Sequence, residues 1–144
     1  MPDTTYDTDF YAWANEQAGL LRAGKLAAAD IENIAGEIES MGKGEKRELG
    51  NRLTVILLHL LKWQFQPARR GSSWETSISV QRRALARHLR DNPSLKPQIP
   101  EVLEDVYEDA VLEAAEEMKL PKAGFPAVCP YSFRQVLDPE FWPQ

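Results

Sequence analysis

At 144 residues and 16.3 kDa, with 43% apolar and 27% charged side chains, the chain has the size of one globular domain over 1–144, with no room for a second core of ordinary size. Such a chain buries about 68% of the surface its unfolded form exposes, so folding requires no metal, disulfide or partner. A single cysteine, Cys129, excludes an internal disulfide, and two histidines, His59 and His88, are too few for a standard structural zinc site.

The N-terminal run is acidic where a secretory leader would be basic, and the longest apolar run, residues 55–61, is too short to span a bilayer. A cytoplasmic protein with no membrane partner is therefore expected. The net charge of −5 is segmented. Residues 1–42 carry two basic against eight acidic groups, residues 62–96 eight against two, and residues 97–120 one against eight. A basic middle between acidic flanks can be neutralised within the fold, without a charged partner.

In chain order, Tyr6-Asp7-Thr8-Asp9 supplies capping side chains ahead of Phe10, Trp13, Ala14, Gln17, Leu20 and Leu21, and Gly24 follows where a helix commonly stops. This predicts a first helix over roughly residues 8–22. A second begins near Asp30, with Ile31, Ile34, Ala35, Ile38 and Met41 on one face. Its apolar phase survives the polar interval into Leu49, Ile56 and Leu60. Glycines at 42, 44 and 50 each cost about 1 kcal/mol in a helix, so a kink or short break at 42–44 is expected in place of a straight rod of about 54 Å. The earlier half should pack against the first helix, and the half from Leu49 to Trp63, apolar over more than one face, against the third and fourth.

Gln66-Pro67 ends that element, and Ser72-Ser73-Trp74-Glu75 has the spacing of a capping box. The third helix has Trp74, Ile78, Leu85 and Leu89 as its apolar line, and Asp91-Asn92-Pro93 stops it. Pro97 and Pro100 are tolerable in an irregular start or first turn, before a fourth helix with Val102, Leu103, Val106, Tyr107, Ala110, Ala114 and Met118 inward. From Leu120 onward five prolines and five aromatics allow at most one short helix near 132–137, in a segment draped over the bundle. No stretch reads as a strand. The expected fold is all-α, an up-and-down bundle of four to five helices with an irregular Pro/aromatic-rich C-terminal segment.

No pattern asks for chemistry. The stretch from Gly36 to Gly44 has one residue too many for a phosphate-binding loop, lacks Ser or Thr after Lys43, and lies on a helix. No histidine pair has metalloprotease spacing, and no glutamate precedes either histidine by three residues as in di-iron bundles. Cys129 has no histidine near it in sequence and reads as a small core residue. No catalytic residue, metal site or cofactor is expected. His59, four residues before Trp63, could serve as a general base beside an aromatic wall, but a hydrogen-bonded, partly buried histidine is the simpler expectation.

The most distinctive cluster comprises Lys62, Arg69, Arg70, Arg82, Arg83, Arg87 and Arg90 with Trp63 and Trp74. Arg83, Arg87 and Arg90 recur at helical spacing and form one ridge, while Arg69 and Arg70 precede the N-terminus of the same helix. Lys62, Arg69, Arg70, Trp74, Arg83, Arg87 and Arg90 are the candidate contacts to an anion or partner, with a tryptophan available to stack on a base. Against that, the ridge can pair with the acidic helix that follows, and the sequence pI near 5.1 disfavours a nucleic-acid module.

The runs Tyr6-Asp7-Thr8-Asp9-Phe10-Tyr11-Ala12-Trp13, Glu37 to Gly42, and His59 to Pro67 with Arg70 and Trp74, together with Cys129-Pro130-Tyr131-Ser132-Phe133 and Phe141-Trp142-Pro143, resemble the bacterial family known as domain of unknown function 29. The resemblance covers nearly the whole chain and implies an all-helical small bacterial protein. It supplies no reaction, ligand or catalytic residue. The functional expectation is a non-enzymatic helical module for protein interaction or regulation with a protein partner; the alternative is nucleic-acid or anion binding through the basic ridge and the loop before it.

Overall fold

Among residues 5–144, which the computed structural model describes, every regular element is an α-helix or a short 3-10 turn, and there is no strand. The helices are α1 (Thr5–Thr8), α2 (Phe10–Arg22), α3 (Ile31–Phe65), α4 (Ser72–Asp91), α5 (Ile99–Met118) and α6 (Phe133–Leu137). The all-helical expectation holds. The structure adds the single turn α1 and joins what the glycines had suggested would break: α3 runs without interruption through Gly42 and Gly44. Interrupting a helix strands backbone donors and acceptors at two new ends and demands a second nucleus, which costs more than two glycines. Among the described residues no helix is long and apolar enough to cross a membrane.

The contacts divide the chain into a first unit ending at Gly44 and a second over Glu45–Gln144. In the first, the Asp9 carboxylate accepts the Ala12 amide at 3.1 Å and starts α2. A Schellman turn stops it: the Lys25 amide donates to the Leu20 carbonyl, the Gly24 amide to Leu21, and Gly24 takes the left-handed φ of 71°. Trp13 and Gln17 are the buried residues of α2, and both are tied to Asp30. The Trp13 indole donates to the Asp30 carboxylate at 3.0 Å, and the Gln17 carbonyl accepts the Asp30 amide at 2.7 Å. Tyr6, Phe10 and Trp13 form an edge-packed aromatic group, and the Tyr6 hydroxyl donates to Glu37.

In the second unit, Leu49, Leu53, Ile56, Leu57, Leu60 and Leu61 of α3 are fully buried. Three contacts set the direction of α4: His88 lies beside Glu45, Arg52 donates to Gln81 at 3.1 Å, and Lys62 sits 4.9 Å over the Trp74 ring. As α3 advances α4 retreats, so the two are antiparallel. Gly50 faces Val102 and Val106, whereas Lys62 pairs with Glu117 at 2.6 Å, so α5 runs with α3. The result is an up-down-up trio. Ile78, Leu85 and Leu89 of α4 and Leu103, Tyr107, Ala110, Val111 and Ala114 of α5 complete its core. Two local predictions fare differently: Pro100 does sit in the first turn of α5, but Gly71 occupies the N-cap of α4, and the Ser72–Glu75 capping box does not form.

The C-terminal segment lies over this trio as expected. Phe125 packs on Phe65, the Tyr107 hydroxyl donates to the Pro126 carbonyl at 2.6 Å, and the Tyr131 hydroxyl donates to Gln64 at 2.6 Å. Ser132 and Gln135 form a reciprocal capping box that starts α6, and Val136 is fully buried.

Candidate functional site

The structure divides the predicted basic cluster in two. Lys62, Arg70 and Trp74 lie in a partly buried aromatic and cationic group at the end of α3. Lys62 bridges Glu117 and the Trp74 face, while Arg70 stacks 5.2 Å from Trp63 and donates to the carbonyls of Trp63 at 2.7 Å and Pro143 at 3.4 Å. Trp142 packs on Trp63 at 4.6 Å, and Arg82 lies 5.5 Å over Trp142. Arg82 is buried, with Nε and Nη2 donating to the Val136 and Gln135 carbonyls at 2.8 and 3.2 Å, and burial lowers its pKa. Arg70 and Arg82 hold the C-terminal segment to the trio, whereas Lys62 ties α3 to α4 and α5.

Arg69, Arg83, Arg87 and Arg90 are exposed instead. Among the described residues none of the four has an ion-pair partner; the carboxylates of α5 that do pair meet Lys62, Lys119 and Lys122. The internal neutralisation expected for the ridge is not formed, because the inward face of α4 carries Ile78, Arg82, Leu85 and Leu89 while Arg83, Arg87 and Arg90 lie on its solvent side.

His59 has its Nδ1 at 2.8 Å from the Val55 carbonyl of its own helix. An open cleft of about 1190 Å³ between α5 and the C-terminal segment is lined by Leu103, Tyr107, Val111, Phe125, Cys129 and Tyr131. Three of its polar groups are bonded within the fold: the two tyrosine hydroxyls donate as described, and the Cys129 thiol donates to the Tyr131 carbonyl. Burial pushes Tyr107 up to about 12 and raises Cys129, so neither is an activated nucleophile near neutral pH.

Two further groupings arise only in three dimensions. Glu45 and Glu48, one turn apart on α3, converge with the buried His88 of α4. In the first unit, Ile31, Ile38 and Met41 are 49%, 63% and 71% exposed, so the stripe that would ordinarily read as core lies open along one face of α3. Phe10, Leu21 and Leu26 of the same unit are exposed too.

The family model described as domain of unknown function DUF29 matches residues 5–142. The chain belongs to this family. Among curated proteins and among solved structures nothing matches it. Membership in DUF29 agrees with the sequence resemblance and assigns no activity. In this DUF29 chain no spacing along a single helix reveals the Glu45, Glu48 and His88 group, because its members come from two helices and 40 residues separate Glu48 from His88. The signal that existed was Glu45 and Glu48 at three-residue spacing, indistinguishable in sequence from a solvated face.

Proposed function

We propose that this protein is a non-enzymatic interaction module whose first unit takes an amphipathic helix of a partner protein along the open stripe of α3. The observation that carries this is the exposure of Ile31, Ile38 and Met41 at helical spacing in a unit whose buried residues, among those described, are Trp13 and Gln17. Glu32, Glu37 and Glu39 flank the stripe, and residues 1–42 carry an excess of six acidic groups. The matching partner helix is therefore apolar on one side and lined with lysine or arginine beside it. The engaged hydroxyls and thiol of the apolar cleft support a non-enzymatic reading.

The test is recovery of the native protein from its own cells with identification of what accompanies it, followed by calorimetry on the purified partner. Ile38→Asp with Met41→Asp should abolish binding, added salt should weaken it, and Arg83→Glu should leave it unchanged. Binding that ignores the double variant overturns the reading, as does a substrate turned over with loss in His59→Ala.

A second reading is favoured by one observation, the unpaired exposure of Arg83, Arg87 and Arg90, with Arg69 on the preceding loop. Those side chains suit a polyanion. Binding to duplex DNA at physiological salt, with a log–log salt slope that falls by about 0.9 for each arginine removed, would promote it over the first.

A further inference from the structure

We propose that Glu45, Glu48 and His88 form a binding site for a divalent first-row transition ion of the zinc type. The argument starts from the imidazole. His88 is buried, at 6% exposure, and its Nε2 lies 2.8 Å from the backbone carbonyl of Glu45. A carbonyl can only accept, so Nε2 carries the hydrogen and in the neutral ring Nδ1 is left with its lone pair. That nitrogen faces two carboxylates: Glu48 Oε2 in close contact and Glu45 Oε2 at 3.6 Å. Three groups able to ligate a cation thus converge on one small space, every ligand atom within 4.8 Å of the others. A cation among the three, whether a proton on Nδ1 or a metal ion, makes every interaction there attractive, and the convergence of three ligand atoms is what a metal ion would use.

The surroundings are those of a metal site. A ligating histidine commonly donates its second ring nitrogen to a backbone carbonyl, which fixes tautomer and ring plane, and Glu45 supplies that carbonyl. Arg52 Nη2 lies 3.5 Å from Glu48 Oε1, on the other oxygen of the carboxylate that meets His88, and Arg52 is itself held by Gln81. Glu45 and Glu48 sit at i and i+3, adjacent on the helix surface, while His88 comes from the antiparallel partner helix. One imidazole nitrogen with two carboxylate oxygens suits zinc or its neighbours, and three protein ligands leave a fourth position open. Magnesium, which prefers an all-oxygen octahedron, is poorly served.

The experiment uses the full chain, stripped with a chelator and titrated with Zn²⁺ by calorimetry, then with Co²⁺ by visible absorption. One equivalent should bind and raise the melting temperature, and Co²⁺ should show the intense d–d bands of a four-coordinate site. Glu45→Gln and Glu48→Gln should each weaken Zn²⁺ by at least about tenfold, His88→Asn should do the same, and His59→Asn should not. Should His88→Asn fail to fold, the two glutamine variants decide the matter, since both carboxylates reach solvent. Absence of a bound equivalent in the stripped protein overturns the proposal. Binding that survives Glu45→Gln and Glu48→Gln is an adventitious ion only and overturns it equally.

Discussion

Arg82 shows how one side chain can carry more of a structure than its position in a pattern suggests. In the sequence it belongs with the basic cluster, next to the ridge residue Arg83; in the fold it points the other way, under Trp142 and into the carbonyls of Gln135 and Val136. Its Nη1 is buried with no hydrogen-bond partner, so the two bonds it makes must hold a desolvated guanidinium. Arg82→Ala should lower stability by about 3 kcal/mol, seen in the denaturant midpoint, and should free α6 for tryptic cleavage after Arg134. Asp30 is the corresponding residue of the first unit. The Asn33 side-chain amide, then the Trp13 indole and the Asn33 backbone amide, hold its carboxyl below the usual value of 3.8, against the opposing effect of burial. Because the folded pKa is depressed, its contribution is complete above the unfolded value and is lost as pH falls through the folded one. The Trp13 indole resonance should therefore move only below about pH 3.8, and Asp30→Asn should remove that transition.

At the scale of elements, α3 carries two different surfaces on one helix. Its later turns bury leucines on several faces, whereas its earlier turns leave Ile31, Ile38 and Met41 open. Leu57→Ala or Leu60→Ala should cost about 2–5 kcal/mol, since both side chains are fully enclosed; wild-type denaturant midpoints would show that this face is not core. Gly42 and Gly44 lie mid-helix with nothing within 4 Å of an added methyl group. Gly42→Ala and Gly44→Ala should each stabilise the helix by about 0.5–1 kcal/mol, measurable as raised helicity in a thermal scan. A loss of stability would mean that these positions need a conformation other than the helical one.

For the molecule as a whole, the segmented charge is resolved unevenly. Lys62 and Lys122 are paired with acidic residues of α5, while the ridge of α4 stays open to solvent. Reversing Arg83, Arg87 and Arg90 to glutamate should change stability by no more than about 0.5 kcal/mol each, because no exposed pair is broken. A larger, salt-sensitive loss in urea unfolding would place a carboxylate partner on the ridge. The same triple variant tests retention on a polyanion column, where it should elute earlier if those arginines meet phosphates.

The sequence by itself determined the helices. Apolar residues at three- and four-residue spacing set the faces of α2, α3, α4 and α5, and local punctuation at Gly24, Pro67, Pro93 and Ser132 set most of the boundaries, because periodicity and capping are properties of a few neighbouring residues. The same locality misjudged the ends that depend on competition, such as the Ser72 cap and the passage through Gly42, where an alternative local geometry was available and lost. Function-bearing groups were legible only as ingredients. Lys62, Arg82 and Arg83 look alike in sequence, yet one pairs with Glu117, one is buried beneath Trp142 and one is exposed. An apolar stripe on α3 looks the same whether it is covered or open. Which charges met, which stripe stayed exposed, and that His88 came to lie between Glu45 and Glu48 were decided by tertiary structure, since each depends on which helices pack and in what direction, over separations that no local pattern encodes.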